Sequence, residues 1–448
     1  MAQNRKKSLG ILIGLLIFFL GMFAVYGVGV YNDSEQYITM HIHREPLYPL
    51  FLAFFRVILG ENAGLIAAAV VQNILTAFSI FFLIEYLQKK FSLNLFGELV
   101  LLVLELMPHF ITRYVSALHI FMENSIMSEA LCIPLFNFFI LFTLRMMFEG
   151  KKTDIIWSLV FAFLLSMTRG QMMSTILIWM VVLGIKLVIE KKYRKLIFPV
   201  LVMACVFGLR SLSVHTYNYF VTGYFMGNTY GQVNTLTNVI YACDKEDGEV
   251  FEEGTRERIF FEQFYEQADA LGYNYKYAGD TLAQKTEHLE ACHDDLKFQV
   301  IEANMSAYYF GLGQVDYYMQ SSMSDEMAGK MLVKLLPECF GQWLANYFML
   351  CRYGFIRSIA VVHPLINWMA MFIYLVAAGA SIWMLWKHKR SQAACIMGLA
   401  FLFIAANACA TSLTIMCLSR YMIYGFSLFY MALFLLLRNS YLLYRNYA

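Results

Sequence analysis

The sequence contains little charge for its length. Asp, Glu, Lys and Arg make up 15% of its 448 residues, whereas about a quarter is usual in soluble domains. Hydrophobic residues make up 60%, which is more apolar surface than one soluble core could bury. The composition therefore excludes an ordinary soluble globular protein and predicts an integral membrane protein.

Several chemical signatures are missing as well. The nine cysteines include no CxxC pair and no Cys/His cluster with metal-ligand spacing. The sequence has no glycine-rich phosphate loop, no Asp-x-Asp motif and no basic patch interleaved with aromatic residues. We therefore expect no nucleic-acid partner, no metal site and no cofactor, although the sequence leaves the use of a divalent metal open.

Long apolar runs dominate what is present. Crossing a bilayer takes roughly 20 apolar residues, or about 17 at the minimum. About ten runs qualify, of which 92–108 and 154–168 are short. The predicted spans are 9–28, 62–86, 92–108, 123–147, 154–168, 171–189, 196–213, 360–386, 392–411 and 420–438.

The basic residues predict how these spans are oriented. Clusters of Lys and Arg mark the cytoplasmic side of membrane proteins. Threading the ten spans places every cluster on one side: Arg5 to Lys7, Lys89-Lys90, Lys151-Lys152, 191–195 and 387–390. We therefore predict a multi-pass protein of the plasma membrane with an even number of spans and both termini in the cytoplasm.

The predicted outer side includes one long segment. Residues 1–213 form an N-terminal core of about seven spans with a first outer loop at 29–61, and 360–448 form the C-terminal spans. The intervening 214–359 has an acidic middle and polar stretches of helical pattern, which predicts a helical extracytoplasmic subdomain. Its Cys243 and Cys292 could form a disulfide in an oxidising compartment or remain two free thiols.

Close to the membrane on the predicted outer side, the basic residues are arginines and not lysines. A guanidinium fork binds phosphate or carboxylate in a bidentate manner, so this set suggests the phosphate of a lipid head group. The alternative is that individual arginines extend to the interface or pair with Glu61, Glu123 or Glu338. The set is Arg44, Arg56, Arg113, Arg169, Arg210, Arg352, Arg357 and Arg420.

The first outer loop contains two carboxylates directly after the first span. Asp33 and Glu35 are two positions apart and would not share one helical face. A carboxylate at the membrane face can accept a proton from a hydroxyl group. The alternative is a solvated acidic turn that ends the span.

The order of four motifs resembles the polytopic glycosyltransferases of the C type, which include protein O-mannosyltransferases and the enzyme that adds aminoarabinose to lipid A. These enzymes have an acidic motif after the first span and a segment of the form R-x-P-x-Y-P. Here the acidic pair is split as Asp33-Ser34-Glu35, so the resemblance leaves the catalytic carboxylate open between the two. The matching segments are Arg44 to Pro49, Ser128 to Leu131, Thr168 to Gly170 and Ser419 to Tyr421.

The resemblance implies an all-α polytopic fold and an extracytoplasmic active site. It implies a sugar donor on polyprenyl phosphate, held in the membrane lipid, and an acceptor that is a glycan, a lipid or a protein. Asp33 or Glu35 would be the base in an inverting transfer. Arg44, Arg169, Arg420 and His43 would bind the donor phosphate, while Glu129, Arg113 and Tyr48 would support the site or the acceptor.

Two other functions compete with this one. A transporter or flippase of lipid-linked glycans would have polar groups near the bilayer midplane. A polymerase of lipid-linked glycans would share the arginine-rich outer face without needing the acidic motif. Glu98 and Glu105, seven residues apart in one span, indicate either a proton or ion path or interior pairing with Gln72, Asn73 or Asn137.

Overall fold

A computed structural model of the chain describes residues 2–115, 119–313, 315–388 and 391–447. Lys389 and Arg390, which belong to one predicted basic cluster, lie outside the described residues. Over the described ranges the chain is helical and forms no strand; one isolated bridge joins Gly29 and Ser125. The predicted all-α class is confirmed at this level.

The α-helices are numbered in chain order. They are α1 Ala2–Tyr26, α2 Ser34–Ile38, α3 Leu47–Leu59, α4 Glu61–Phe91, α5 Leu95–Tyr114, α6 Ser128–Phe148, α7 Lys152–Thr168, α8 Ser174–Ile189, α9 Ile197–Thr222, α10 Gly231–Ala242, α11 Arg256–Leu271, α12 Leu282–Asp295, α13 Ala303–Gly311, α14 Tyr317–Glu338, α15 Phe340–Ile359, α16 Pro364–Lys387, α17 Gln392–Thr414, α18 Ser419–Met422 and α19 Tyr424–Tyr447.

Nine helical segments of the described chain are long and apolar enough to cross a membrane. Each overlaps one of the ten predicted spans, so the chain is a multi-pass helical membrane protein. The nine are Lys6–Tyr26, Glu61–Phe91, Leu95–Tyr114, Ser128–Phe148, Gly170–Ile189, Tyr193–Thr222, Pro364–Lys387, Gln392–Thr414 and Tyr424–Leu443.

The remaining predicted span, 154–168, forms α7, which has 17 residues and is not among the nine. α7 runs antiparallel to α6. Arg145 near the end of α6 pairs with Asp154 at the start of α7 (3.0 Å), and Ser128 at the start of α6 accepts a hydrogen bond from Arg169 just past α7 (3.0 Å). At 1.5 Å per residue α7 is about 26 Å long, close to the length of a spanning helix.

The described chain divides into two compact units. The first comprises 1–212, 356–407 and 419–448, and the second comprises 213–355 and 408–418. The first unit includes most of the apolar helices and all of the residues predicted to form a functional site. The second unit includes the acidic segment of the sequence.

In the first unit, α3 and α4 form a tight helical hairpin. Gly60 joins them with a positive φ of 82°, a conformation that glycine adopts without a steric penalty. The backbones then approach closely at Gly64, where a Cβ atom would lie 2.5 Å from the Cα atom of Arg56. This contact holds α3, and the segment that precedes it, against the long helix α4.

Substituting Gly64 with alanine should therefore separate α3 from α4. The added methyl group meets backbone atoms, which cannot rotate away, so we expect a loss of about 1–3 kcal/mol in the free energy of unfolding. Thermal unfolding in detergent measures the effect. Gly184→Ala in α8 is the matched control, because its Cβ would meet no atom within 4 Å. Equal unfolding temperatures for both variants would contradict the close packing.

The second unit has an aromatic core of its own. Phe260, Phe261 and Phe264 of α11 are at most 1% exposed and pack with buried residues of α10, α12 and α14. Asp325 of α14 accepts three backbone N–H groups at the start of α10, at 2.9 to 3.2 Å. These contacts show that the polar segment forms an ordered helical subdomain. A linker would have no such core.

The cysteines of the second unit are free thiols in the structure. Cys243 and Cys292 are both buried in its core. The thiol within hydrogen-bonding reach of Cys243 is that of Cys339, and the Cys292 thiol is directed to the carbonyl of Leu289 at 3.9 Å. Of the two predicted alternatives, the structure contains the free thiols.

Candidate functional site

The loop between α1 and α3 is fixed at its first residues. The backbone N–H of Gly29 donates to the carbonyl of Asn124 (2.9 Å), and the N–H of Ile126 donates to the carbonyl of Gly29 (2.8 Å). The Ser34 hydroxyl then accepts the N–H of Tyr31 at 2.8 Å. These bonds place Asp33, the residue before α2, next to the start of α6.

Asp33 lies between two arginines that are far apart in sequence. Its Oδ1 accepts from Nη2 of Arg44 at 2.9 Å, and its Oδ2 accepts from Nη1 of Arg420, also at 2.9 Å. The Asp33 side chain remains 27% exposed. Both carboxylate oxygens are thus held by guanidinium groups while one side of the carboxylate faces the surroundings.

The segment that contains Arg420 is held in position through the backbone carbonyl of the next residue, Tyr421. That carbonyl accepts hydrogen bonds from the side chains of Gln171 (3.0 Å) and Asn407 (2.9 Å). The Tyr421 ring also lies beside two guanidinium groups, 5.0 Å from that of Arg420 and 5.1 Å from that of Arg169. A single aromatic ring is therefore close enough to interact favourably with both cations.

Arg169 is anchored at the first turn of α6. Its Nη1 lies 2.5 Å from Oε2 of Glu129 and 3.0 Å from the hydroxyl of Ser128. Glu129 is 2% exposed and Arg169 is 12% exposed. The carboxylate also lies at the positive end of the helix dipole of α6, a favourable position for it.

Tyr37 connects these two groups of charges. Its hydroxyl accepts from Nη1 of Arg44 (3.2 Å) and is hydrogen-bonded to the Ser128 hydroxyl (2.8 Å). A continuous network results, which we name the arginine–carboxylate cluster. It consists of Asp33, Tyr37, Arg44, Ser128, Glu129, Arg169, Arg420 and Tyr421.

The cluster has an excess of positive charge. Three guanidinium groups face two carboxylates, which leaves one positive charge over. Burial opposes ionisation of Asp33, but Arg44 and Arg420 outweigh it and hold its pKa below the ordinary value of 3.8. Asp33 is therefore ionised at neutral pH, and the cluster can attract a further anion.

Five predicted site residues meet in the cluster: Asp33, Arg44, Glu129, Arg169 and Arg420. Glu35 does not. It is exposed, and its carboxylate forms no hydrogen bond or ion pair with any residue that the structure describes. The two carboxylates that the sequence left open thus lie in different surroundings, and Asp33 is the one held by cations.

The other three predicted residues lie outside the cluster. Tyr48 is fully buried and donates to Gln72 at 2.9 Å, while its ring packs edge-on against Tyr37, so it supports the cluster from behind. The His43 ring lies against that of His41, with ring centroids 4.2 Å apart and planes tilted by 43°. Arg113 donates to the carbonyl of His119 at 2.8 Å and lies over the ring of Tyr26.

Other arginines of the set predicted to lie on the outer side follow the pairing alternative. Arg56 binds Glu61 through two hydrogen bonds of 2.5 and 2.8 Å, as that alternative anticipates. Arg210 pairs with Glu45, which directly follows Arg44 in sequence. Glu123 is instead bonded to His109 at 2.9 Å. The three arginines of the cluster are therefore distinct from Arg56 and Arg210, each of which pairs with one carboxylate outside it.

Sequence reasoning did not identify Tyr37, Ser128 and Tyr421 as site residues. Ser128 and Tyr421 are immediate neighbours of predicted residues, and Tyr37 is three positions after Ser34, on the buried face of α2. Ser128 and Tyr421 are hydroxyl-bearing residues beside a charged one, which is a weak signal in sequence, and Tyr37 lies between two uncharged residues and lacks even that signal. Their common position depends on tertiary contacts between segments up to 387 residues apart.

Comparisons with known proteins find no match among family models, curated proteins or solved structures. The residues that the structure describes include no group of three or more His, Cys, Asp or Glu side chains that could hold a metal ion. The chemistry of the cluster is therefore inferred from its own geometry.

Proposed function

We propose that the chain is a membrane glycosyltransferase of the C type, which moves a sugar from polyprenyl phosphate to an extracytoplasmic glycan, lipid or protein. The observation that supports this most is the Asp33 carboxylate held between Arg44 and Arg420. An ionised carboxylate within a cationic group combines what an inverting transfer needs, a base and a place for an anionic leaving group.

The arginines supply the leaving-group site. A phosphate monoester carries up to two negative charges and several acceptor oxygens, and guanidinium forks bind it with paired hydrogen bonds. The excess positive charge of the cluster favours such an anion. The Arg169 and Arg420 guanidinium groups lie 5.1 and 5.0 Å from the ring of Tyr421, and in this proposal both forks bind the one phosphate.

Helix α3 supports a position of the arginine–carboxylate cluster at the membrane surface. It begins three residues after Arg44, and one side of it exposes Phe54 (60%), Val57 (84%) and Ile58 (61%). A short helix with an exposed apolar side inserts that side into the lipid boundary. The cluster would then lie at the depth of lipid phosphates, and the basic clusters of the sequence would place this face outside the cell.

The proposed reaction begins when the donor phosphate binds Arg44, Arg169 and Arg420. This binding withdraws cations from Asp33, so the pKa of its carboxyl rises and it becomes a stronger base. Asp33 takes the proton of the acceptor hydroxyl as that oxygen attacks the anomeric carbon. The bond from this carbon to the phosphate oxygen breaks with inversion, and the polyprenyl phosphate leaves with its charge stabilised by the arginines.

Polyprenyl phosphate itself tests this proposal without knowledge of the sugar. Arg420→Lys and Arg169→Lys keep the charge but lose the fork, so we expect each to weaken binding of polyprenyl phosphate about tenfold, a change of about 1.4 kcal/mol. Native mass spectrometry or equilibrium binding in detergent gives the dissociation constants. Uncharged polyprenol should compete poorly.

Arg56→Lys is the matched control, because Arg56 is bound to Glu61 and to the carbonyl of Ile38 outside the cluster. Its affinity for polyprenyl phosphate should equal that of the wild type. Unchanged affinity in both Arg169→Lys and Arg420→Lys, or equal competition by polyprenol, would contradict a phosphate site at the cluster.

A further inference from the structure

The two acidic residues of α5 have different surroundings. Glu98 forms an ion pair with Lys7. Glu105, two turns further along the helix, is 3% exposed, and its Oε2 makes no hydrogen bond with any described residue. The carboxylate is within hydrogen-bonding reach of the Asn137 and Ser427 side chains, so one of its oxygens is satisfied, as the interior-pairing alternative predicts for Asn137. An oxygen left without a partner is costly inside a membrane segment, where acidic residues usually serve a function.

Glu105 faces a small cavity inside the first unit. Asn137 of α6 and Tyr424 and Ser427 of α19 also line it, and its volume is about 20 Å³. This volume suits one body of the size of a water molecule. Tyr424 is only 4% exposed, and its hydroxyl, like Oε2 of Glu105, forms no hydrogen bond of regular geometry within the described chain. Its polar neighbour is the Cys132 thiol, a weak hydrogen-bonding group.

Four of the nine described residues that line the cavity carry a side-chain oxygen, and four others, Pro108, Ile133, Phe136 and Ile423, are apolar. The carboxylate of Glu105, the amide of Asn137 and the hydroxyls of Tyr424 and Ser427 all line it. His109 lies on the same wall, but its Nδ1 is bonded to Glu123 at 2.9 Å. Among the described residues no Lys or Arg lines the cavity, so the cationic neighbour available to the carboxylate there is His109, which is charged only when protonated.

We propose that this cavity binds one dehydrated monovalent cation of about the size of Na⁺. Carboxylate, amide and hydroxyl oxygens are ligands that hard cations prefer. One carboxylate balances a single positive charge, which favours a monovalent over a divalent ion. The volume admits one such ion without its hydration shell. The bound ion would also satisfy the two unpartnered oxygens of Glu105 and Tyr424.

This site is distinct from the proposed transferase centre, and its existence does not depend on that function. Tyr424 nevertheless lies within electrostatic range of Arg169 and Glu129. An ion that fixes the Tyr424 hydroxyl would therefore stabilise the inner wall of the arginine–carboxylate cluster. A polar ion site within the membrane is also a feature that the transporter alternative anticipated.

Purified full-length protein in detergent tests the proposal. Thermal unfolding is followed in NaCl and in choline chloride of equal ionic strength, and binding of radioactive Na⁺ is measured directly. We expect a saturable rise of several degrees in the unfolding temperature with Na⁺ and one bound Na⁺ per chain. Glu105→Gln should lose both, while Ser427→Ala should weaken Na⁺ binding at least tenfold and keep the fold.

Glu98→Gln is the matched control, because Glu98 lies on the same helix but is paired with Lys7. It should retain the Na⁺ dependence of the wild type. Equal stability in Na⁺ and choline would indicate a buried water and overturn the proposal. Stabilisation that follows pH and not Na⁺ would indicate a proton site and would overturn it as well.

Discussion

Replacing Asp33 with asparagine should lower kcat for sugar transfer by about 100- to 10,000-fold, the range that general bases contribute. Asparagine has nearly the same shape and still accepts a hydrogen bond from an arginine, but it cannot take the acceptor proton. The measurement is turnover in membranes, using a polyprenyl-phosphate sugar that the wild-type protein consumes.

The same variant should bind polyprenyl phosphate at least as tightly as the wild type. Removing the Asp33 carboxylate leaves three arginines opposite a single carboxylate, Glu129, so the cluster becomes more attractive to an anion. Measuring kcat and donor affinity together therefore shows whether Asp33 acts as a base or only as a structural ion-pair partner. A loss of donor binding together with a lower unfolding temperature would indicate that Asp33 only maintains the structure.

Glu35→Gln is the control for this experiment. Glu35 has the same charge and lies two residues away, but its exposed side chain is outside the cluster. Its kcat and its donor affinity should remain within about twofold of the wild type, since surface substitutions away from a site have small effects. If Glu35→Gln abolished transfer and Asp33→Asn did not, the roles assigned to the two carboxylates would have to be exchanged.

The pH dependence offers an independent test of the same mechanism. In the free protein, Arg44 and Arg420 outweigh burial and keep the Asp33 pKa below 3.8, so kcat/KM should not fall through Asp33 until the pH drops below that value. Once a phosphate occupies the arginines, the carboxyl pKa rises. The acid limb of kcat, which reports the bound complex, should therefore lie at higher pH than that of kcat/KM.

Much of the architecture could be predicted because apolar length is a local property. Nine of the ten predicted spans overlap helices long and apolar enough to cross a membrane. The tenth predicted span, 154–168, was one of the two short ones. It forms helix α7, which has only 17 residues. Sequence could not show the hairpin of α3 and α4, since its close contact depends on Gly64 meeting the backbone of Arg56.

The candidate site was predictable residue by residue but not as a geometry. The motifs pointed to Asp33, Arg44, Arg169 and Arg420, which the structure brings into one network. They could not separate Asp33 from Glu35, because the difference arises from contacts of Asp33 with Arg44 and with Arg420, and the latter is 387 residues further along the chain. Nor could spacing alone distinguish cluster arginines from Arg56, which pairs locally with Glu61.

Replacing Glu129 with alanine should have the largest effect on stability. Arg169 would remain mostly buried, at 12% exposure, without its carboxylate partner at 2.5 Å. Leaving one partner of a buried ion pair behind costs about 3–5 kcal/mol. We expect a correspondingly lower free energy of unfolding in detergent titrations. A change below about 1 kcal/mol would contradict a buried pair at this position.

A double substitution separates this structural role from function. In Glu129→Met with Arg169→Met, apolar side chains of similar length replace both charges, and such replacements of buried pairs are often neutral or stabilising. The double variant should therefore recover most of the stability that Glu129→Ala loses. It should still bind polyprenyl phosphate poorly, because the Arg169 fork is gone. Recovery of both stability and phosphate binding would show that Arg169 serves only to hold α6 and α7 together.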